Sequence, residues 1–226
     1  MSAHPQSLIV AGAVILAAGA SSRMGRPKLL LAWGDTSILG HLLRRWQELG
    51  VHQTAIVCAP DNPPLHAELD RLGVPAGARI LNPAPDEGMF SSVRAAAGWT
   101  GWAVELTHWM VSLGDQPHVR FETLQQLMKF SAAHPDKICQ PARSGRARHP
   151  VLLPAAIFAE LPVATEADLK QFLLNRSEQR ALCEVDDPGL DFDLDRPEDY
   201  ERALAGGEVD RGFRSKGFNG RSTGRE

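Results

Sequence analysis

A run of eight apolar or small residues at positions 9–16, Ile-Val-Ala-Gly-Ala-Val-Ile-Leu, places the strongest constraint on how this chain folds. Runs rich in valine and isoleucine without polar alternation are typical of strands that are buried on both faces of a parallel sheet. The run is too short to cross a bilayer, which takes about 20 residues. It also lacks the preceding lysine or arginine of a signal peptide. We therefore interpret it as a buried strand that leads directly into a loop of small residues.

Strand-like and helix-like patterns then alternate as far as residue 140. The predicted strands are 54–58, 79–81, 108–113 and 137–140, and the predicted helices are 38–49, 65–72, 91–98 and 121–132. The helix at 38–49 is the clearest, because Thr36 or Ser37 can cap its start and Gly50 can end it. This alternation predicts an α/β fold in three layers, with helices on both faces of a mostly parallel sheet. Because parallel strands end at the same edge, where such sheets bind ligands, the loops after Leu16 and Leu113 should be neighbours.

The pattern changes after residue 140. Residues 146–153 predict a small extended arm, followed by short helices at 155–161 and 167–174, a strand at 181–185 and a final helix that begins at Pro197. From Gly206 onward, glycine, arginine and serine dominate and no apolar period remains. We therefore expect one domain over residues 1–205 and a disordered tail over 206–226.

Charge and cysteine content exclude several classes of function. The chain has 24 basic and 27 acidic residues, a net charge of −3, and no basic run in its body. Nucleic-acid binding needs a positive surface, so no nucleic-acid partner is expected, and no membrane partner is indicated either. The three cysteines are far apart and form no C-x-x-C pair, which excludes a disulfide framework and predicts a reducing, cytoplasmic location.

The loop at residues 17–28, here called the small-residue loop, is the feature that most directly predicts chemistry. It reads Ala-Ala-Gly-Ala-Ser-Ser-Arg-Met-Gly-Arg-Pro-Lys. Small side chains let successive backbone N–H groups approach an anion, and Arg23 and Lys28 place two cations beside them. The pattern matches neither the G-x-x-x-x-G-K-[ST] loop nor the G-x-G-x-x-G dinucleotide fingerprint. It therefore predicts a phosphate site of another kind and gives no support to a dinucleotide-dependent oxidoreductase.

Further motifs follow in a fixed order. They are Asn82, Gly-Met-Phe-Ser-Ser at 88–92, Leu-Gly-Asp-Gln-Pro at 113–117, His-Pro-Val-Leu-Leu at 149–153, and Asp-Leu-Asp-Arg-Pro-Glu-Asp at 193–199. Together with the Leu-Ala-Ala-Gly-x-Ser-x-Arg-Met-Gly-x-x-Lys loop, this set resembles the MobA-like nucleotidyltransferases over residues 8–205. The resemblance implies a fold like that of the nucleotide-diphospho-sugar transferases. It also implies transfer of a nucleoside monophosphate from a triphosphate to a phosphorylated acceptor, with release of pyrophosphate.

The resemblance also implies roles for individual residues. Arg23, Lys28 and Asp115 are expected to be catalytic. The residues expected to bind the nucleotide are Leu16, Ala17, Ala18, Gly19, Ser21, Ser22, Arg23, Lys28, Asn82, Gly88, Ser91 and Ser92. By the residues alone, Asn82 and the 88–92 turn are also compatible with an ordinary helix N-cap.

Three carboxylates are candidate ligands for Mg²⁺. Asp115 lies just past a predicted strand end, where a carboxylate can hold a metal that bridges nucleotide phosphates, although an Asx turn is an alternative. Asp193 and Asp195 are two residues apart in an extended segment and so face the same way. Asp195 is also placed to cap the helix that begins at Pro197. The resemblance implies Mg²⁺ at Asp115 together with Asp193 or Asp195.

The predicted acceptor site is the cationic stretch that contains His149, Pro150 and Arg148. A surface basic loop is the alternative, and Arg148 stands where the family usually has glycine. Ala18, where other members carry glycine, resembles the CTP-using members of the family. That implies CTP and a molybdopterin acceptor, with a molybdoenzyme or its maturation factor as a partner. Two alternatives stay open: a transferase of the same fold acting on a sugar phosphate or other small phosphate, and a non-catalytic nucleotide- or cofactor-binding accessory protein for a molybdoenzyme.

Overall fold

The computed structural model of the protein describes residues 9–205, so the tail predicted over 206–226 lies outside the described residues. The strands are β1 (Ala11–Leu16), β2 (Ala32–Trp33), β3 (Thr36–Ser37), β4 (Gln53–Cys58), β5 (Arg79–Leu81), β6 (His108–Leu113), β7 (Ile138–Arg143), β8 (Arg146–Ala147), β9 (Val151–Pro154) and β10 (Arg180–Glu184). The α-helices are α1 (Ile38–Leu49), α2 (Pro63–Arg71), α3 (Met89–Ala97), α4 (Phe121–Ala132), α5 (Ala155–Phe158), α6 (Leu169–Leu174) and α7 (Pro197–Ala205). The elements predicted before residue 140 are all present, with ends displaced by only a few residues. None of the helices in residues 9–205 combines the length and apolar character needed to cross a membrane.

The central sheet has the strand order β10-β7-β9-β6-β1-β4-β5, and β8 pairs with β7 at its side. β1 lies in the middle and pairs in parallel with both β4 and β6. The β4–β5 and β10–β7 pairs are also parallel. The carboxyl ends of β1, β4 and β6 therefore meet at one edge of the sheet, which confirms the predicted mostly parallel arrangement.

Helices cover both faces of this sheet, as predicted. Successive residues of β1 alternate between two apolar cores: Ala13 and Ile15 pack with α1, α2, α4 and α7, whereas Val14 packs with α3, α5 and α6. This two-sided burial explains why the strand sequences are continuously apolar. The helix ends follow local chemistry, because Ser37 Oγ accepts the Gly40 N–H at 3.0 Å and Gly50 ends α1 with a φ of 77°.

The segment predicted as an arm over 146–153 is extended, but its main part belongs to the sheet. Residues 146 and 147 form the short strand β8, which makes a hairpin with β7. The following strand, β9, inserts between β6 and β7 and runs antiparallel to both. Leu152 pairs with Met110 on one side and Cys139 on the other, and its side chain is fully buried. A short apolar run does not reveal strand direction or neighbours, so its sequence alone could not distinguish an arm from a central strand.

Replacing Leu152 with alanine tests this central position. Truncating a buried leucine to alanine leaves a cavity that the surrounding core fills only partly, and this destabilises a protein by about 2–5 kcal/mol. We expect a loss of this size in the free energy of unfolding, measured by urea titration. The control is Val163→Ala, because Val163 is 79% exposed and its truncation should change stability by no more than about 0.5 kcal/mol. Equal effects of the two substitutions would contradict the internal position of β9.

Candidate active site

A cleft of about 360 Å³ opens at the carboxyl ends of β1 and β6. Its wall is formed by the small-residue loop, by the start of α3 and by the turn after β6. The predicted nucleotide-binding residues that line it are Leu16, Ala17, Ala18, Gly19, Ser21, Ser22, Arg23, Lys28, Gly88 and Ser92. Asp115 and Asp195 line it as well, and so do the unpredicted residues Pro85 and Met89. The cleft therefore brings together groups from distant parts of the chain.

The small-residue loop is held in shape by hydrogen bonds within itself. The Ser21 carbonyl accepts the N–H groups of Met24 at 3.0 Å and Gly25 at 3.2 Å, and Ser21 Oγ accepts the Lys28 N–H at 3.3 Å. Ser21 adopts a positive φ of 51°, which side chains rarely occupy. In the part of the chain that the structure describes, the backbone amides of Gly19 and Ser22 donate to no protein acceptor. These amides are available to an anion in the cleft.

Gly114 brings the turn after β6 against the end of β1. A Cβ atom at this position would lie 2.7 Å from Leu29 Cδ2 and 2.9 Å from the Leu16 carbonyl oxygen, so a side chain does not fit. Because of this close approach, Asp115 stands directly beside the small-residue loop. Its Oδ1 atom is buried and has no hydrogen-bond partner among residues 9–205. A buried carboxylate oxygen without a partner is costly, which points to a cationic ligand at this place.

Two cations and two carboxylates form a continuous chain of ion pairs along the cleft wall. Lys28 Nζ lies 3.0 Å from Asp115 Oδ2 and 3.4 Å from Asp195 Oδ1. Arg23 Nη1 lies 2.6 Å from the other oxygen of Asp195. The Lys28 side chain is only 15% exposed, whereas that of Arg23 is 67% exposed. The pairs made by Lys28 are therefore screened less by solvent than the Arg23 pair.

A segment at residues 187–195, here called the strap, carries Asp195 to the cleft. Asp187 anchors its start: the buried carboxylate accepts the Thr123 hydroxyl at 2.7 Å and the N–H groups of Arg120 and Gly189, each at 2.9 Å. Near its end, the Leu194 N–H donates to the Asp115 carbonyl at 3.1 Å. The strap is thus fixed at both ends, and Asp195 is held next to Asp115.

Asp193 and Asp195 occupy different surroundings. Leu194, between them, is fully buried, and the Asp195 N–H donates to the Asp193 carbonyl at 3.1 Å, which turns the chain between the two carboxylates. Asp195 reaches the two cations, whereas Asp193 Oδ1 accepts a hydrogen bond from Gln116 Nε2 at 2.7 Å and is not part of the cleft wall. Of the two candidates, Asp195 is therefore the one beside Asp115.

The residues predicted to bind the acceptor, His149, Pro150 and Arg148, lie in two different places. β9 runs antiparallel to β6, so the residue pair His149-Pro150 before it lies at the same sheet edge as Asp115. His149 Nδ1 is buried without a partner among residues 9–205. Burial lowers the pKa of this imidazole, against the opposing influence of the Val111 carbonyl and of the carboxylates of Asp115 and Asp193. His149 lies outside the cleft wall itself, close to those two carboxylates.

Arg148 is turned to the strap instead. Its guanidinium makes two hydrogen bonds to Asp191 Oδ1, with Nε at 2.8 Å, and Arg143 Nη1 lies 2.6 Å from Asp191 Oδ2. Hydrogen bonds from Arg143 and then Arg148 lower the pKa of the Asp191 carboxyl below its usual value. The structure therefore places Arg148 in a clamp on the strap rather than in the cleft.

Asn82 and Ser91 also lie behind the cleft wall. Asn82 is almost completely buried, and its Nδ2 donates to Ser91 Oγ at 2.7 Å and to Ser92 Oγ at 3.0 Å. Ser91 Oγ donates in turn to the Gly88 carbonyl at 2.7 Å. Asn82 thus orients the hydroxyls at the start of α3, of which Ser92 faces the cleft.

The donor set fits a hard divalent cation that is shared with phosphates. Among the described residues 9–205, no three His, Cys, Asp or Glu side chains converge closely enough to hold a metal ion by themselves. Mg²⁺ is commonly held by one or two carboxylates together with substrate phosphates rather than by a complete protein cage. Asp115, with its unpartnered oxygen, and Asp195 meet that requirement.

Comparison with known proteins gives the family. Residues 13–181 match the sequence profile of the MobA-like NTP transferase domain, which is most of the chain. This chain is a member of the MobA-like NTP transferase family. The predicted family and the predicted fold class are therefore confirmed, and the protein is a nucleotidyltransferase by family.

Individual proteins are similar to this MobA-like transferase over most of their length. It is 25% identical to molybdenum cofactor cytidylyltransferase of Escherichia coli K12 over 189 residues, which is 83% of this chain and 92% of that one. The crystal structure of Rv0371c from Mycobacterium tuberculosis H37Rv is also 25% identical, with a TM-score of 0.65 over 87% of this chain and 98% of that one. A second structure of Rv0371c, with 24% identity and a TM-score of 0.63, is a complex with manganese and covers 88% of this chain and all of that one.

Several contributors to the site were missed in the sequence. Asp187 and Asp191 carry no motif signal, because their roles depend on Thr123, Arg143 and Arg148, which are far away in the chain. Gln116 was part of the Leu-Gly-Asp-Gln-Pro motif, and its position next to Asp115 was the signal that could have drawn attention to it. The contact of Lys28 with two separate carboxylates has no sequence pattern at all.

The clamp on the strap can be tested by hydrogen exchange. Replacing Asp191 by asparagine weakens the contacts with both Arg143 and Arg148, whereas replacing Arg148 by alanine removes one of these two partners. Each substitution should speed exchange several-fold in peptides covering residues 187–195, and Asp191→Asn should have the larger effect. The control is Arg71→Ala, because Arg71 is exposed and pairs with Glu68 on α2. If Arg148→Ala leaves exchange in these peptides unchanged, Arg148 does not hold the strap.

Proposed function

We propose that this MobA-like transferase moves a cytidine monophosphate group from CTP to the phosphate of molybdopterin and releases pyrophosphate. The single observation that carries the proposal is the cleft in which the small-residue loop, two cations and two carboxylates converge. The similarity to molybdenum cofactor cytidylyltransferase of Escherichia coli supports the choice of CTP and of molybdopterin.

The residues of the cleft suit stabilisation of phosphate charge. In the proposed reaction an oxygen of the acceptor phosphate forms a bond to the α-phosphorus, and the bond between the α-phosphorus and its bridging oxygen breaks. Pyrophosphate leaves with the electron pair of that bond. Lys28, Arg23 and the free amides of the small-residue loop are placed to neutralise the charge of the triphosphate and of the leaving pyrophosphate. No covalent nucleophile is required, so catalysis rests on positioning and on charge.

A divalent cation, proposed to be Mg²⁺, is assigned to Asp115 and Asp195. The buried, unpartnered Oδ1 of Asp115 and the position of Asp195 beside it support this assignment. When bound, such an ion neutralises phosphate oxygens and acts as a Lewis acid. The manganese complex of the similar protein Rv0371c supports the proposal of a divalent cation here.

Selectivity for the base and the acceptor is assigned to two sides of the cleft. Ala18 lies in the wall and is almost fully buried, so its methyl group narrows the space that a glycine would leave. His149 lies near Asp115 and Asp193, and we assign it and Pro150 to the acceptor side. The product would pass to a molybdoenzyme or its maturation factor. The proposed location is the cytoplasm, which suits the free cysteines Cys58, Cys139 and Cys183.

Pyrophosphate release with each of the four nucleoside triphosphates, with and without molybdopterin, tests the proposed function. We expect release with CTP and molybdopterin together, and background rates with every other combination. Turnover that needs a sugar phosphate instead would favour the alternative transferase. Tight CTP binding without turnover on any acceptor would favour a non-catalytic nucleotide-binding protein.

Replacing Lys28 by alanine tests the phosphate assignment. A charge-assisted hydrogen bond contributes about 1.5–3 kcal/mol, so CTP binding should weaken about 10- to 100-fold while cytidine binding stays unchanged. Arg26→Ala is the matched control, since Arg26 carries the same charge in the same loop but does not line the cleft. Equal loss of cytidine and CTP binding would contradict a phosphate contact for Lys28. Titration calorimetry measures both.

A further inference from the structure

Asp195 pairs with Arg23 and Lys28, the same two cations that are proposed to bind the triphosphate. Its two oxygens contact different partners, Arg23 at 2.6 Å and Lys28 at 3.4 Å, while Lys28 is also paired with Asp115 at 3.0 Å. The four side chains carry two positive and two negative charges. The cations proposed to hold the phosphates are therefore already neutralised by carboxylates in the free protein.

The backbone sets the positions of the two carboxylates in this arrangement. The Leu194 side chain is fully buried, and its N–H is bonded to the Asp115 carbonyl at 3.1 Å. The Asp195 N–H lies 3.3 Å from Asp199 Oδ2 at the start of α7. Asp115 is held by the close approach of Gly114 to β1. The backbone therefore keeps both carboxylates next to Lys28 when an anion enters.

A triphosphate that binds without a divalent cation therefore has to replace existing ion pairs, which is unfavourable. To pair with Lys28 and Arg23 it must displace Asp195 and Asp115, and it leaves both carboxylates unpaired beside its own negative charges. The Lys28–Asp115 pair is largely shielded from solvent. When the phosphate takes Lys28, the Asp115 carboxylate is left without a partner, and an unpaired charge in such a place is costly. A divalent cation that accompanies the phosphates would compensate both carboxylates at once.

We infer that Asp195 makes triphosphate binding conditional on a divalent cation, because it holds Arg23 and Lys28 until the cation takes the carboxylates. The inference rests on the proposed function, since it concerns the same cleft. It assigns to Asp195 a role in the free protein in addition to its proposed role as a ligand. Coupling of this kind is reciprocal, so CTP should raise the affinity for the cation by the same factor by which the cation raises the affinity for CTP.

The substitution Asp195→Asn separates the two roles. With EDTA present, CTP should bind the variant at least about 10-fold more tightly than it binds the unchanged protein, because the cations are released and one carboxylate charge is gone. The gain in CTP affinity on adding saturating Mg²⁺ should shrink by at least the same factor. A residue that served only as a metal ligand, or only for stability, would not tighten metal-free binding when it is removed.

Titration calorimetry with CTP, in EDTA and in Mg²⁺, measures these affinities. Glu198→Gln is the control for loss of one negative charge, because Glu198 is an exposed residue at the start of α7. Asp195→Glu keeps the charge and should keep the dependence on the cation. Asp195→Ser replaces the asparagine variant if thermal unfolding shows that the latter is not folded.

The outcomes separate the two proposals. If CTP binds the unchanged protein with Mg²⁺ but Asp195→Asn binds CTP in EDTA no better than the unchanged protein does, the inference is wrong and the proposed function stands. If CTP does not bind the unchanged protein under either condition, both fail. Tighter metal-free binding in Asp195→Asn, but not in Glu198→Gln, supports the inference.

Discussion

The Lys28 ammonium group touches carboxylates that lie 87 and 167 residues further along the chain. These contacts join the small-residue loop, the turn after β6 and the strap before α7 into one wall. They exist only because β1 and β6 are adjacent parallel strands and because Gly114 allows their ends to meet closely. The cleft, its charge pattern and the position of Asp195 all depend on this junction.

The antiparallel strand β9 brings further residues to the sheet edge at which β1 and β6 end. A strand parallel to β6 would bring its preceding residues to the opposite edge. A strand that runs opposite to β6 begins where β6 ends, so the residues just before β9 arrive beside Asp115. The hairpin of β7 and β8 comes with it, and the strap is held by Arg143 at the end of β7 and by Arg148 just after β8. One reversed strand thus brings both His149 and the support of Asp195 to the ligand edge.

Local patterns predicted much of the fold and part of the site. The buried strand, the capped helix Ile38–Leu49 and the small-residue loop were all identified, because each depends on residues close together in the chain. Residues of that loop line the cleft, as expected from their position after a parallel strand. The difference between Asp193 and Asp195 could not be predicted, since i and i+2 spacing gives both the same side of the segment. The supporting roles of Asn82 and Arg148 were also out of reach, because each depends on which partner lies nearest in space.

By itself, the sequence determined the α/β class, the family and the residue types proposed to bind phosphate, because apolar periodicity, turn residues and short motifs act over a few positions. Only the tertiary structure decided that residues 151–154 form a central strand, that Arg148 clamps Asp191, and that Asp195 bridges Arg23 and Lys28. Those outcomes depend on strand order and direction. The free energy of strand pairing comes from contacts between segments distant in the chain, and no local pattern records which segments those are.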